Sequence, residues 1–185
     1  NVADIDNNGY NDIIVAGEQF GILLFSQNIN GFTKSVIDAT PFFSQASTLF
    51  DLDNNGYLDL TICDELAKTR LYLNPFPSPF KRDTTFINFK IKEKDSEAGN
   101  YGCIWSDIDD DDDPDLYISR CRPDVKDSTD RRRRNLFYHN DKGTFIEEAD
   151  LRNIGSLDQS WTSDIADLDG DGLLDLVVLN HYSPS

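Results

Sequence analysis

This chain has no methionine, only two histidines and only three cysteines, and each shortage narrows what it can be. The histidines, His139 and His181, stand in no catalytic motif. A nucleophile or metal partner would have to be held beside one of them, and Ser183 near His181 lacks any strand-to-helix elbow. No apolar run is long enough to span a bilayer, and no secretion leader is visible. There is no N-x-S/T sequon. Basic residues are also scarce, with 17 Lys and Arg against 34 Asp and Glu and a formal net charge of −17. That balance excludes nucleic acid and anionic membrane as partners, because both would be repelled. An initiator residue is missing, and only Asn1, Val2 and Ala3 precede the first motif, so we expect a segment of a longer polypeptide.

What the chain has in excess is aspartate, and it is concentrated. Four nonapeptides, DIDNNGYND (Asp4–Asp12), DLDNNGYLD (Asp51–Asp59), DIDDDDDPD (Asp107–Asp115) and DLDGDGLLD (Asp167–Asp175), hold 17 of the 34 acidic residues. Each has an oxygen-bearing side chain at positions one, three, five and nine. Such spacing lets a short loop wrap a hard cation that takes six to eight oxygen ligands. Three copies carry glycine at position six, where a sharp turn needs positive φ. We therefore expect up to four Ca²⁺ ions, one per loop, which would reduce the net charge to about −9.

The spacing assigns the ligands. In the first loop these are the side chains of Asp4, Asp6, Asn8 and Asp12 and the carbonyl of Tyr10. The second repeats them with Asp51, Asp53, Asn55, Asp59 and the carbonyl of Tyr57. The fourth uses Asp167, Asp169, Asp171, Asp175 and the carbonyl of Leu173. An all-oxygen set suits Ca²⁺ over zinc or copper, and a flexible many-ligand loop suits it over Mg²⁺. An EF-hand is excluded, because it needs Glu at position twelve and a helix on each side. Position twelve is Val15, Ile62, Ile118 or Val178, so position nine must close the site. The third loop offers Asp107, Asp109, Asp111, Asp113 and Asp115, but Asp112 replaces the turn glycine and Pro114 stands at position eight. Either it holds an ion that relieves five consecutive carboxylates, or it is a solvated acidic tip.

The loops begin at 4, 51, 107 and 167, a period of 47 to 60 residues that points to a repeat architecture. A short β-branched run follows each: 13–17, 60–63, 116–119 and 176–179. Weak alternation there predicts strands covered on both faces. Second strands are expected at 21–28, 69–74 and 135–141, and third strands at 31–37, 84–91 and 143–149. Further strands at 46–50, 102–106 and 162–166 precede the later loops. The predicted fold class is all-β: propeller blades of four antiparallel strands, about three blades' worth, in a single repeat array over 1–185 that belongs to a larger closed propeller.

The motif with its following apolar strand resembles the FG-GAP or VCBS repeat of integrin α propellers and many secreted proteins. WSDIDDDDDPDLYIS and NLFYHNDKGTFIEEA are similar to the cartilage acidic protein and ASPIC/UnbV group in particular. The resemblance implies that each loop joins the first and second strands of a blade. It also implies a non-catalytic extracellular or cell-surface scaffold that binds a protein or glycan. Two other readings stay open: the accessory propeller of a secreted polysaccharide- or lipid-active enzyme, and a subunit that self-assembles into a fibre or homo-oligomer through open blade edges.

Smaller features carry alternatives of their own. Arg131–Arg134, the one basic run, is a processing site, a heparin-like contact, an anchor for an acidic neighbour, or a solvated stretch paired with Asp124, Asp127 and Asp130. Cys103 and Cys121 flank the third loop and form either a disulfide across its hairpin or two buried thiols, while Cys63 is expected as a small buried hydrophobe. Phe20, Phe25, Tyr72, Phe76, Trp105 and Trp161 either pack between blades or line a sugar-binding rim.

Overall fold

The computed structural model of the chain describes residues 1–87 and 98–181. Apart from one 3-10 turn at Arg131–Arg133, all regular structure in those residues is strand. The first sheet comprises β1 (Val2–Ala3), β2 (Asp12–Gly17), β3 (Gly21–Asn28) and β4 (Gly31–Asp38). The second has β5 (Ser44–Phe50), β6 (Asp59–Asp64), β7 (Arg70–Leu73) and β8 (Lys81–Asp83). The third has β9 (Asn100–Ser106), β10 (Asp115–Arg120), β11 (Leu136–Asp141) and β12 (Thr144–Glu147). The fourth pairs β13 (Ser160–Ala166) with β14 (Asp175–Asn180). Every sheet is an antiparallel meander in chain order, and the three complete ones are four-stranded propeller blades. Each acidic loop joins the first strand of its sheet to the second.

Strand periodicity explains how the sheets stack. Along β6, Leu60 and Ile62 point into a core shared with Ile5, Ile14, Ile22 and Phe42 of the first repeat. The alternate residues of β6 point the other way, toward the third sheet. Along β10, Leu116 and Ile118 join Leu52, Leu71 and Trp105 in a second core, while Tyr117 faces Leu176 and Val178 of the fourth sheet. All six residues of β6 and all six of β10 are buried. Both faces are covered, which is why their sequences are almost continuously apolar between the end residues. Hydrophobic burial at these inter-sheet layers supplies the main cohesion, at roughly 25 cal/mol per Å² of apolar surface.

Turn chemistry closes the hairpins. Lys142 and Gly143 both have positive φ (51° and 82°) in the two-residue link between β11 and β12, where the primed turn matches strand twist. No helix among the described residues is long and apolar enough to cross a membrane.

The strands fall where the sequence puts them, with one correction. The last strand of the second sheet is Lys81–Asp83, ahead of the expected 84–91. The Asp83 carboxylate accepts the N–H groups of Thr85 (2.6 Å) and Phe86 (2.7 Å), and this local turn stops the strand. Phe86 then turns inward onto Phe145, 5.7 Å between ring centres. The rest of that predicted strand, 88–91, lies outside the described residues, as does Ser183.

The disulfide alternative for Cys103 and Cys121 is also corrected: all three cysteines are free. Cys103 stands opposite Ile118 and packs on the core between the second and third sheets. Cys121 lies beyond the end of β10, its N–H donating to Gly99.

Candidate metal centre

The four loops are built from one set of hydrogen bonds, which the repeating sequence imposes. The position-one carboxylate receives two backbone N–H groups from across the loop. Asp4 takes those of Asn8 (3.0 Å) and Gly9 (2.8 Å), and Asp51 takes those of Asn55 (3.1 Å) and Gly56 (2.8 Å). Asp107 takes those of Asp111 and Asp112, and Asp167 those of Gly170 and Gly172. The position-five oxygen accepts the N–H of position seven in every loop, from Tyr10, Tyr57, Asp113 and Leu173. These bonds curl the chain around its own carboxylates.

Position six is left-handed throughout: Gly9 (87°), Gly56 (85°), Asp112 (67°) and Gly172 (88°). Asp112 therefore adopts the conformation that glycine takes in the other copies, at the steric cost an L side chain incurs there. Position four is left-handed as well, at Asn7, Asn54, Asp110 and Gly170. Its residue types, Asn, Asp and Gly, are those that tolerate this region, a signal present in all four copies.

Position nine ties each loop into its sheet. One oxygen of Asp12 accepts the N–H of Ile5 (2.9 Å) and the other that of Gln27 (2.7 Å), at the end of β3. Asp59 does the same with Leu52 (2.8 Å) and Asn74 (2.7 Å), and Asp115 with Ile108 (3.3 Å) and Asn140 (2.8 Å). Asp175 accepts the N–H of Leu168 (3.0 Å). Asn8 and Asn55 add a second tie, because their amides donate to the carbonyls of Gln27 (2.9 Å) and Asn74 (3.2 Å). Sequence spacing identified these asparagines as ligands only.

Carboxylate oxygens converge in each loop. Asp4, Asp6 and Asp12 bring one oxygen each to within 4.8 Å of the others, as do Asp51, Asp53 and Asp59. The third group is Asp107, Asp109 and Asp111, and the fourth is Asp167, Asp169 and Asp175. Asp115 and Asp171 thus stand outside the tight triads of their loops. Electrostatics marks the convergence. Burial pushes the Asp59 carboxyl up to about 6, against the bonds from Asn74 and Leu52, and Asp53 and Asp51 push it further up. Burial also raises Asp115, and burial followed by the Asp12 charge raises Asp6.

The third loop has basic side chains beside it. His139 Nε2 lies 3.0 Å from Asp109 Oδ2 and its Nδ1 lies 3.5 Å from Glu148. Arg152 reaches the same Asp109 oxygen at 3.7 Å and donates to Glu148 at 3.1 Å. The backbone N–H of Lys142 donates to Asp113 Oδ2. The acidic tip is therefore partly offset by Arg152, from the segment after β12, and is tied by the Lys142 N–H to the turn after β11.

The other sequence candidates are placed as follows. The arginine run pairs locally, but with partners that sequence proximity identified only in part. Arg132 bonds Asp130, Arg131 bonds Asp150, and buried Arg134 bonds Glu147 at 2.5 Å. Asp124 pairs instead with Arg122. Among the aromatics, Tyr72 and Trp105 are buried between sheets, whereas Phe20, Phe76 and Trp161 are exposed, Trp161 stacked on His181 at 4.9 Å.

Residues 107–178, which contain the third and fourth loops, match the family model of the FG-GAP-like repeat. No curated protein matches the chain.

Proposed function

We propose, from the FG-GAP-like repeat at 107–178 and the three equivalent sheets it continues, that the chain is a calcium-stabilised propeller scaffold. The observation that carries this reading is the convergence of three carboxylate oxygens in each of four loops. Like charges brought this close repel one another, and a divalent cation among them turns that repulsion into attraction. The donor set fits Ca²⁺: hard oxygens only, from flexible loops between short strands. Asp4, Asp6, Asn8 and Asp12 would hold the first ion with the Tyr10 carbonyl, and the corresponding residues would hold the others. Ca²⁺ supplies charge neutralisation there and no chemistry of its own. With asparagine at position five in two loops, Kd is expected on the order of 10⁻⁴–10⁻³ M, the range of extracellular modules.

The scaffold acts outside the cell by binding a protein or glycan, and it is not an enzyme. Both histidines are engaged structurally, His139 between Asp109 and Glu148 and His181 against Trp161, which supports that assignment.

Calcium here is structural, because no helix pair among the described residues is available to swing open on binding. Chelation is expected to lower Tm and to expose the loops to protease. An unchanged melt in excess EGTA, with calcium titrations also silent, overturns the proposal.

A further inference from the structure

The layer between the second and third sheets holds two cysteines that take no part in the acidic loops. Their facing follows from strand alternation. On β6, Leu60 and Ile62 face the first sheet, so Thr61 and Cys63 face the third. On β9, Cys103 and Trp105 pack on the core shared with the second sheet, while Ile104 packs toward the fourth. Trp105 Nε1 donates to Thr61 Oγ1 at 2.9 Å and fixes how the two strands lie against each other. One pair further along, two residues on from Thr61 and two back from Trp105, the Cys63 thiol meets that of Cys103. Burial first, and then this neighbour, push the Cys63 thiol well above its usual value. Cys63 is fully buried and Cys103 is half-buried, so solvent reaches one member of the pair.

We propose that Cys63 and Cys103 are a redox pair whose disulfide staples the second sheet to the third. The oxidant is a small-molecule disulfide, RS–SR. The accessible Cys103 thiol loses its proton, and the thiolate attacks one sulfur of RS–SR, forming a mixed disulfide and releasing RS⁻. Cys63 then loses its proton and attacks the Cys103 sulfur, expelling the second RS⁻. Two protein thiols are oxidised, one external disulfide is reduced to two thiolates, and two protons are released. Cys121, on the side of the third sheet that meets Trp161, remains a thiol. The bond closes a loop of 40 residues, long enough for a clear gain against the unfolded chain. It joins two repeats that are otherwise held only by packing and scattered polar contacts.

The test uses the whole chain incubated with oxidised glutathione, denatured, alkylated and mapped without reduction. The expected product has lost about 2 Da, contains a linked Cys63–Cys103 peptide and carries one alkyl group, on Cys121. Its Tm is expected about 5 °C or more above that of the reduced chain, and C121S should show the same rise. C63S and C103S should show none, and the peptide map of the unsubstituted chain decides the matter even if those variants fold poorly. Three alkylated cysteines after incubation, a stable glutathione adduct on Cys103, or a link through Cys121 would each overturn the pairing.

Discussion

Replacing Asp59 with Asn separates the role the structure shows for that carboxylate, hydrogen-bond acceptor, from the ion-ligand role proposed for it. Burial and its neighbours Asp53 and Asp51 raise Asp59 to about 6, so its ionised form costs the metal-free fold about 3 kcal/mol at pH 7.5. Asn removes that cost. It also has one carbonyl oxygen for two donors, the N–H groups of Leu52 and Asn74, so one of them faces an NH₂ group. An unsatisfied buried N–H costs about 1–3 kcal/mol. The two effects nearly cancel, and Asp59→Asn in EGTA should melt within about 5 °C of the unsubstituted chain. Calcium should then distinguish them. At a concentration 10 to 100 times Kd, the intact loop gains about 1.4–2.7 kcal/mol, or about 3–10 °C, and the variant loses that increment. Scanning fluorimetry with EGTA and with 10 mM calcium measures both differences. If the variant melts more than about 8 °C lower in EGTA yet keeps its calcium response, Asp59 is a structural acceptor and not a ligand.

Three other outcomes follow from the same geometry. For the metal-free protein, a folded-state value raised above the unfolded one means that stability from Asp59 is full below about pH 4 and lost as pH rises through about 6. Tm in EGTA should therefore rise between pH 7.5 and 5.5, while in calcium it should fall as protons compete for the ligands; parallel slopes would contradict this. Asp112→Gly relieves left-handed strain and one surplus carboxylate, and should raise Tm in EGTA by about 1–3 °C by calorimetry. Leu116→Ala opens a cavity in the layer between the second and third sheets and should cost about 2–5 kcal/mol in urea unfolding, against less than about 0.5 for exposed Leu168→Ala.

Strand order and loop positions were legible because each repeat writes its own punctuation. An aspartate-rich turn and a β-branched run recur four times and a polar hairpin three times, so ambiguity in one copy is resolved by the others. Leu60–Cys63 and Leu116–Ser119 were recognisable as doubly covered strands because sheets flank them on both sides. Failures came where a competing local bond decided the outcome. Asp83 ends β8 early through its bonds to Thr85 and Phe86, and the β-branched run that follows gave no sign of this. The coupling of position nine to the third strand was hidden for a different reason. Its donors lie 15 residues on in the first two repeats but 25 on in the third, where the arginine-containing segment is inserted. Partners at unequal distances leave no periodic trace. The pairing of Cys63 with Cys103 depends on which faces of two separate sheets meet, and so required the packed structure.

The bond from each position-nine aspartate to a distant backbone amide gives the loops separate reporters. The amide protons of Gln27, Asn74 and Asn140 sit on carboxylates that a calcium ion would polarise, yet none belongs to an acidic nonapeptide. In a ¹⁵N-labelled sample each should move in the proton dimension as its own loop fills. Three resolved peaks would then yield three binding curves from one titration, without mutating any ligand. The fourth loop offers no equivalent probe among the described residues. Its occupancy would be followed through Leu168, whose N–H rests on Asp175 from inside the loop.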